Sequence, residues 1–120
     1  MNLVTGIGGF FFRAKDPETL SRWYREHLGI DPVPTDYGSQ SWHQQAGPTV
    51  FAPFPNDTEY FGDPQKQWMI NFRVQNLDAL VRELRTRKVE VTLDPTSYPN
   101  GRFARLRDPE GNPIELWEPR

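Results

Sequence analysis

The chain repeats itself, and no other feature limits its fold as much. Phe12-Arg13-Ala14-Lys15-Asp16-Pro17-Glu18-Thr19-Leu20 aligns with Phe72-Arg73-Val74-Gln75-Asn76-Leu77-Asp78-Ala79-Leu80. Phe12 falls on Phe72, Arg13 on Arg73 and Leu20 on Leu80, each sixty positions apart. Both halves run from an apolar segment through a polar break into a helical pattern. They also end alike, with Gly47-Pro48-Thr49-Val50-Phe51-Ala52 lying over Gly111-Asn112-Pro113-Ile114-Glu115-Leu116. Elements that recur in one order imply two copies of one supersecondary unit.

Period and punctuation give the unit its contents. Residues 7–14, with Phe10-Phe11-Phe12, read as a strand, and 68–74 as its counterpart. Asp16 is an expected N-cap with Pro17 at the first helical position, where a missing N–H costs nothing. Leu20, Trp23, Tyr24 and Leu28 follow at helical spacing, and Gly29 stops the helix. In the second half Asn76 caps a helix carrying Leu77, Leu80, Val81 and Leu84. Further strands are expected near 32–36, 39–45 and 48–53, then near 89–93, 102–107 and 113–118. Asp108-Pro109-Glu110-Gly111-Asn112 has the chemistry of a turn joining the last two. The predicted fold class is α+β, with two βαβββ modules in one domain over 1–120. Module one covers 5–55, a polar, Pro-rich connector 56–66 and module two 67–120.

Composition narrows the partners. At 120 residues, 36% hydrophobic, the chain is long enough to bury a core without staples. A formal charge of -2 provides no broad basic field, so neither nucleic acid nor an anionic membrane is expected. The lack of cysteine excludes disulfides, thiolate catalysis and thiolate metal sites. No apolar run approaches the ~18 residues that span a bilayer, and the N-terminus has no basic-then-apolar leader. A cytoplasmic protein is the expectation.

The repeat, the helix end from Trp23-Tyr24 to Leu28-Gly29 and the closing Asp108-Pro109-Glu110-Gly111-Asn112-Pro113-Ile114-Glu115-Leu116 together resemble the vicinal oxygen chelate superfamily. This is the glyoxalase/bleomycin-resistance/dihydroxybiphenyl dioxygenase fold, and the likeness extends over essentially the whole chain. It implies that the two modules curl into a half-barrel cleft, often within a homodimer. It leaves activity open, because the superfamily holds isomerases, lyases, ring-cleaving dioxygenases and non-catalytic drug binders. In metalloenzyme members a divalent ion is held by one residue from the first and one from the last strand of each module. The corresponding residues here are Gly9, Phe51, Met69 and Glu115. Only Glu115 is a suitable ligand, and one carboxylate cannot replace three or four donors. The resemblance therefore comes with no expected metal or other cofactor.

Alternation along the strands assigns the cleft-facing side chains. Phe10, Phe12, Ile70, Phe72 and Val74 belong to the helix-packed face. Phe11, Trp42, Phe51, Met69 and Trp117 fall to the cleft, with Arg13, Asn71, Arg73 and Glu115 as its polar groups. Apolar walls with a few converging polar groups describe a small-molecule pocket. Arg13 and Arg73 are open to two readings, clamping an anionic group or pairing with Glu115 or with the carboxylates at the helix starts. Alternation sets two or more of Arg102, Arg105 and Arg107 on a solvated face, which weakens any reading of them as a phosphate site. Glu59, Tyr60 and Phe61 of the connector are positioned to form a lid. His27, in the last turn of a helix, and His43, beside Trp42 on a strand, need no ligand to explain them.

The preferred expectation is a metal-independent binder of a flat, amphipathic molecule, with an anionic group among its options, of the bleomycin-resistance type and homodimeric. The alternative is a glyoxalase-like lyase or isomerase, or a dioxygenase-related enzyme. It would use Glu115 as a catalytic base or an atypical metal set such as His43, Glu59 and Glu115. A purely structural interaction module is a third reading.

Overall fold

A computed structural model describes residues 3–120. Both helices form where their caps place them. Helix α1 spans Pro17–Leu28; the Asp16 side chain accepts from Thr19 N, and Gly29 closes the helix in the left-handed conformation. The second half opens with β1, Ile70–Arg73, and continues into α2, Leu77–Thr86, where the Asn76 side chain accepts from Ala79 N. The repeat breaks at the end of α2. Lys88 takes a positive φ of 67°, where the first helix uses glycine. A side chain with a Cβ is strained in that region.

Three strands complete the second module: β2 at Thr92–Leu93, β3 at Gly101–Arg107 and β4 at Pro113–Pro119. The sheet order is β1-β4-β3-β2, with β1 parallel to β4 and the other neighbours antiparallel. The α+β class and the second βαβββ unit therefore match the reading of the sequence.

The first half differs. Its helix is present, but among the described residues none of the stretches 7–14, 32–36, 39–45 and 48–53 pairs as a strand. A strand exists through its ladder, and a ladder needs an edge to pair with. Within one chain these segments meet none, while β1 keeps its outer edge open. The consequences appear in the surface. The accessible area is 9590 Å², against about 6,700 Å² expected for a compact monomer of this mass. The radius of gyration is 15.2 Å, against about 13.6 Å expected.

The core lies on one face of the sheet. Leu77, Val81 and Leu84 of α2 and Leu20 and Tyr24 of α1 pack with Ala104, Leu106, Ile114 and Leu116. Phe10 and Phe12 reach the second half through Trp68, at ring separations of 4.9 and 5.1 Å. No helix among the described residues is long and apolar enough to cross a membrane.

The halves are tied together at the turn before β4. Asp108, 4% exposed, accepts from Glu110 N, Asn112 N and Asn112 Nδ2 within the turn. It also accepts from Tyr24 Oη of α1 at 2.6 Å. Burial, reinforced by that carboxylate, raises the Tyr24 phenol far above its ordinary pKa, so it remains a donor. In return Glu110 accepts from Lys15 N and Asp16 N at 2.7 and 3.0 Å, just ahead of α1.

Asp108→Ala strands four donors, two of them buried side-chain groups. It should cost roughly 2–4 kcal/mol in denaturant unfolding; a loss under about 0.5 kcal/mol would show that the turn does not tie the halves together. Lys88→Gly should instead stabilise by about 1 kcal/mol by relieving the left-handed conformation. A destabilised variant would contradict that strain.

Candidate functional site

The sheet face opposite the core carries the polar groups, and strand register sets their order. Asn71 lies beside Glu115 across β1 and β4, and Glu115 beside Arg105 across β4 and β3. In the next row Arg73 neighbours Trp117, which neighbours Phe103. These residues alternate with the buried Ile114 and Leu116, so they share the other face.

Glu115 is the centre of the cluster and is only 6% exposed. Oε1 accepts from Asn71 Nδ2 at 2.8 Å and Oε2 from Tyr60 Oη at 2.7 Å. Arg105 Nη2 stands 3.7 Å from Oε2. The same guanidinium lies 3.8 Å over the Tyr60 ring and donates to Tyr60 O at 2.8 Å. Burial, and then the hydrogen bond to Glu115, raises the Tyr60 pKa, so its hydroxyl is a donor at neutral pH.

Tyr60 reaches the sheet from the connector. Turns at Pro55–Thr58 and Glu59–Gly62 fold this segment into a strap. Phe54 packs on Tyr60 and Phe61 at 5.4 and 5.2 Å. Gly62, at φ 85°, lies against Arg107, and a Cβ there would sit 2.7 Å from its Nη2. The positive φ is what favours glycine here, since the tip of the Arg107 side chain can move aside.

Beside this cluster Trp117 and Phe103 stack at 6.4 Å with a 5° interplanar angle, and Trp117 Nε1 donates to Asn100 O. Arg73 turns towards the first half, donating to Gln45 O, Pro48 O and Thr49 Oγ1. It passes so close to Gly47 that a Cβ there would meet its Nε at 2.9 Å.

The expected cleft is thus only partly assembled within one chain. Asn71, Arg73, Glu115 and Trp117 share a face, with the partly buried Met69 just ahead of β1. Phe11 and Phe51 do not join it; they are 94% and 86% exposed. Arg13 and Trp42 also lie on the exposed first half. The histidines turn to backbone oxygens, His27 Nδ1 to Trp23 O and His43 Nδ1 to Ser41 O.

The donor set does not fit a divalent cation. Both oxygens of Glu115 already accept hydrogen bonds, and a guanidinium stands beside them. Among the described residues no three of His, Cys, Asp and Glu converge, so His43, Glu59 and Glu115 do not form a coordinating set.

Two contributors escape the alternation argument. Arg105 faces Glu115, whereas Arg102 lies on the helix side and pairs with Asp78 at 2.9 Å. The signal was available: the turn at 108–112 makes 107 face 113, and counting back makes 105 face 115. Tyr60 was expected only as part of a lid. Its bond to Glu115 spans 55 residues, and nothing local announces it.

Residues 6–116 match the model of a family described as the Glyoxalase/Bleomycin resistance protein/Dioxygenase superfamily. Among solved structures the chain is similar to TnmS3, an antibiotic binding protein from Streptomyces sp. CB03234. That likeness has 25% identity, covers 98% of each chain and gives a TM-score of 0.66. A glyoxylase/bleomycin resistance protein/dioxygenase domain from Frankia sp. EAN1pec shares 19% identity over 98% of this chain and 99% of that one, with a TM-score of 0.60. A glyoxalase/bleomycin resistance protein from Streptomyces sp. CB03234 shares 24% over 87% and 92%, with a TM-score of 0.54. No curated protein matches. With 111 of its 120 residues inside the family match, the chain belongs to the glyoxalase/bleomycin resistance/dioxygenase superfamily.

Proposed function

We propose that this protein binds a small, flat, amphipathic molecule without a metal ion, and does so as a homodimer. The observation that carries the reading is the state of Glu115. The one carboxylate among the four expected ligand positions is held by an amide, a phenol and a guanidinium. Those partners suit an organic ligand, since they offer directional hydrogen bonding beside aromatic faces. Trp117 and Phe103 supply such faces in the adjacent row. The likeness to TnmS3, an antibiotic binding protein, supports a small-molecule ligand.

The homodimer reading rests on what the single chain leaves uncovered. The accessible area exceeds the compact-monomer expectation by about 2,900 Å², enough to supply each side of a large obligate interface. The exposed apolar side chains cluster in the unpaired first half, including Phe11, Val33, Val50 and Phe51. Long unpaired apolar segments beside an open sheet edge are an aggregation hazard unless covered, and a second copy is the symmetric way to cover them. In such a pair Phe11, Trp42 and Phe51 would wall the cleft around Asn71, Glu115 and Trp117, with Met69 at its floor and Arg13 and Arg73 at its rim.

Sedimentation should give a species of twice the 14.0 kDa chain mass. A compact monomer at micromolar concentration would remove the covering copy from this account. Phe51→Asp should weaken binding of an aromatic probe, 2-naphthol, at least about tenfold by titration calorimetry while the circular dichroism spectrum is kept. Unchanged affinity would exclude Phe51 from the pocket.

A further inference from the structure

Tyr60 poses a question that a metal-free aromatic cleft alone does not answer. Glu115 is almost fully buried, yet one of its two principal donors comes from a surface strap whose tyrosine is 40% exposed. The strap is held by turn hydrogen bonds of its own and by Arg105 on the sheet. The phenol meets the carboxylate at its hydroxyl and the guanidinium at its ring, so hydroxyl and π-face are recognised together.

We propose that Glu115, Asn71 and Arg105 form a receptor for a neutral hydroxyaryl group, and that Tyr60 occupies it as a built-in surrogate which the ligand displaces. This rests on the small-molecule-binding reading and names the chemistry of the ligand.

Charge selects the class. A ligand carboxylate would approach Glu115 oxygens that already serve as acceptors, and like charges at that distance repel. Arg73 provides no compensating clamp, because its guanidinium is spent on Gln45, Pro48 and Thr49. A purely apolar ring could lie under Arg105 but would leave Oε2 of a buried carboxylate short of a donor, and such a loss is costly. A hydroxyl on an aromatic ring restores both contacts. Exchange of one phenol for another leaves the hydrogen-bond count unchanged, so the strap can leave when a donor of the same kind arrives. A site built to hydrogen-bond a hydroxyl discriminates strongly against analogues that lack it.

The test is calorimetric titration of 2-naphthol, 2-naphthoate and 2-methylnaphthalene against wild type, Tyr60→Phe and Glu115→Gln. Tyr60→Phe removes one oxygen and keeps the ring between Phe54 and Arg105, so the fold is expected to persist. Weakening the surrogate should tighten 2-naphthol binding about tenfold, the scale of one hydrogen bond to a charged group. Wild type should prefer 2-naphthol to both other probes, and Glu115→Gln should reduce that preference about tenfold. If Glu115→Gln fails to fold, the preference among the three probes in wild type decides the matter. Equal or tighter binding of 2-naphthoate or 2-methylnaphthalene would overturn the hydroxyl receptor. An unchanged affinity in Tyr60→Phe would overturn the surrogate role. Either result, with aromatic probes still bound and still sensitive to Phe51→Asp, would leave the small-molecule reading standing. Failure of all three probes to bind wild type and Tyr60→Phe would overturn both.

Discussion

The buried carboxylate of Asp108 joins the two halves of this chain. It closes the turn that directs β4 back along β3, and it accepts the Tyr24 hydroxyl from α1. A buried charge is tolerated only when its lone pairs are filled, and four donors fill them here. Glu110 of the same turn receives the two N–H groups that precede α1. Asp108, Glu110 and Asn112 of this turn thus register β3 against β4 and anchor the first helix. The register that the turn imposes then sets Arg105 opposite Glu115 and Phe103 opposite Trp117, so the site inherits its geometry from the turn.

The polar face differs in character from a metal centre. Metal sites need several donors with free lone pairs aimed at one point. Here a single carboxylate is encircled by donors, and its neighbours are a guanidinium, an amide and a phenol. Under the proposed function this cluster would hold polar groups of an organic molecule, with affinity drawn from the aromatic surfaces beside it.

What the sequence could disclose follows from the range of each interaction. Asp16, Pro17 and Gly29 bound α1 because capping is local, and Asn76 does the same for α2. The turn at 108–112 was legible from its residue types, but its hold on Tyr24, 84 positions away, was not. In module two β1, β3 and β4 appeared close to their expected spans, while the strand expected near 89–93 is reduced to Thr92–Leu93. Those of module one did not, because pairing depends on an edge that alternation cannot supply. Lys88 shows the limit of the repeat: the halves match in pattern while the second helix ends without the glycine of the first. At the site, parity correctly put Asn71, Arg73, Glu115 and Trp117 on one face. Discounting the arginines of β3 as a group concealed Arg105, which the turn register would have paired with Glu115.

The central claim is that this face is organised around an organic ligand, with no ion required. The most direct test is the metal content of the purified protein by elemental mass spectrometry, after exposure to zinc, nickel, manganese and iron(II) and removal of excess. The account predicts no retained metal. Roughly one tightly held ion per chain would contradict it, because Glu115 would then have to give up its donors to a coordination sphere that these side chains do not form.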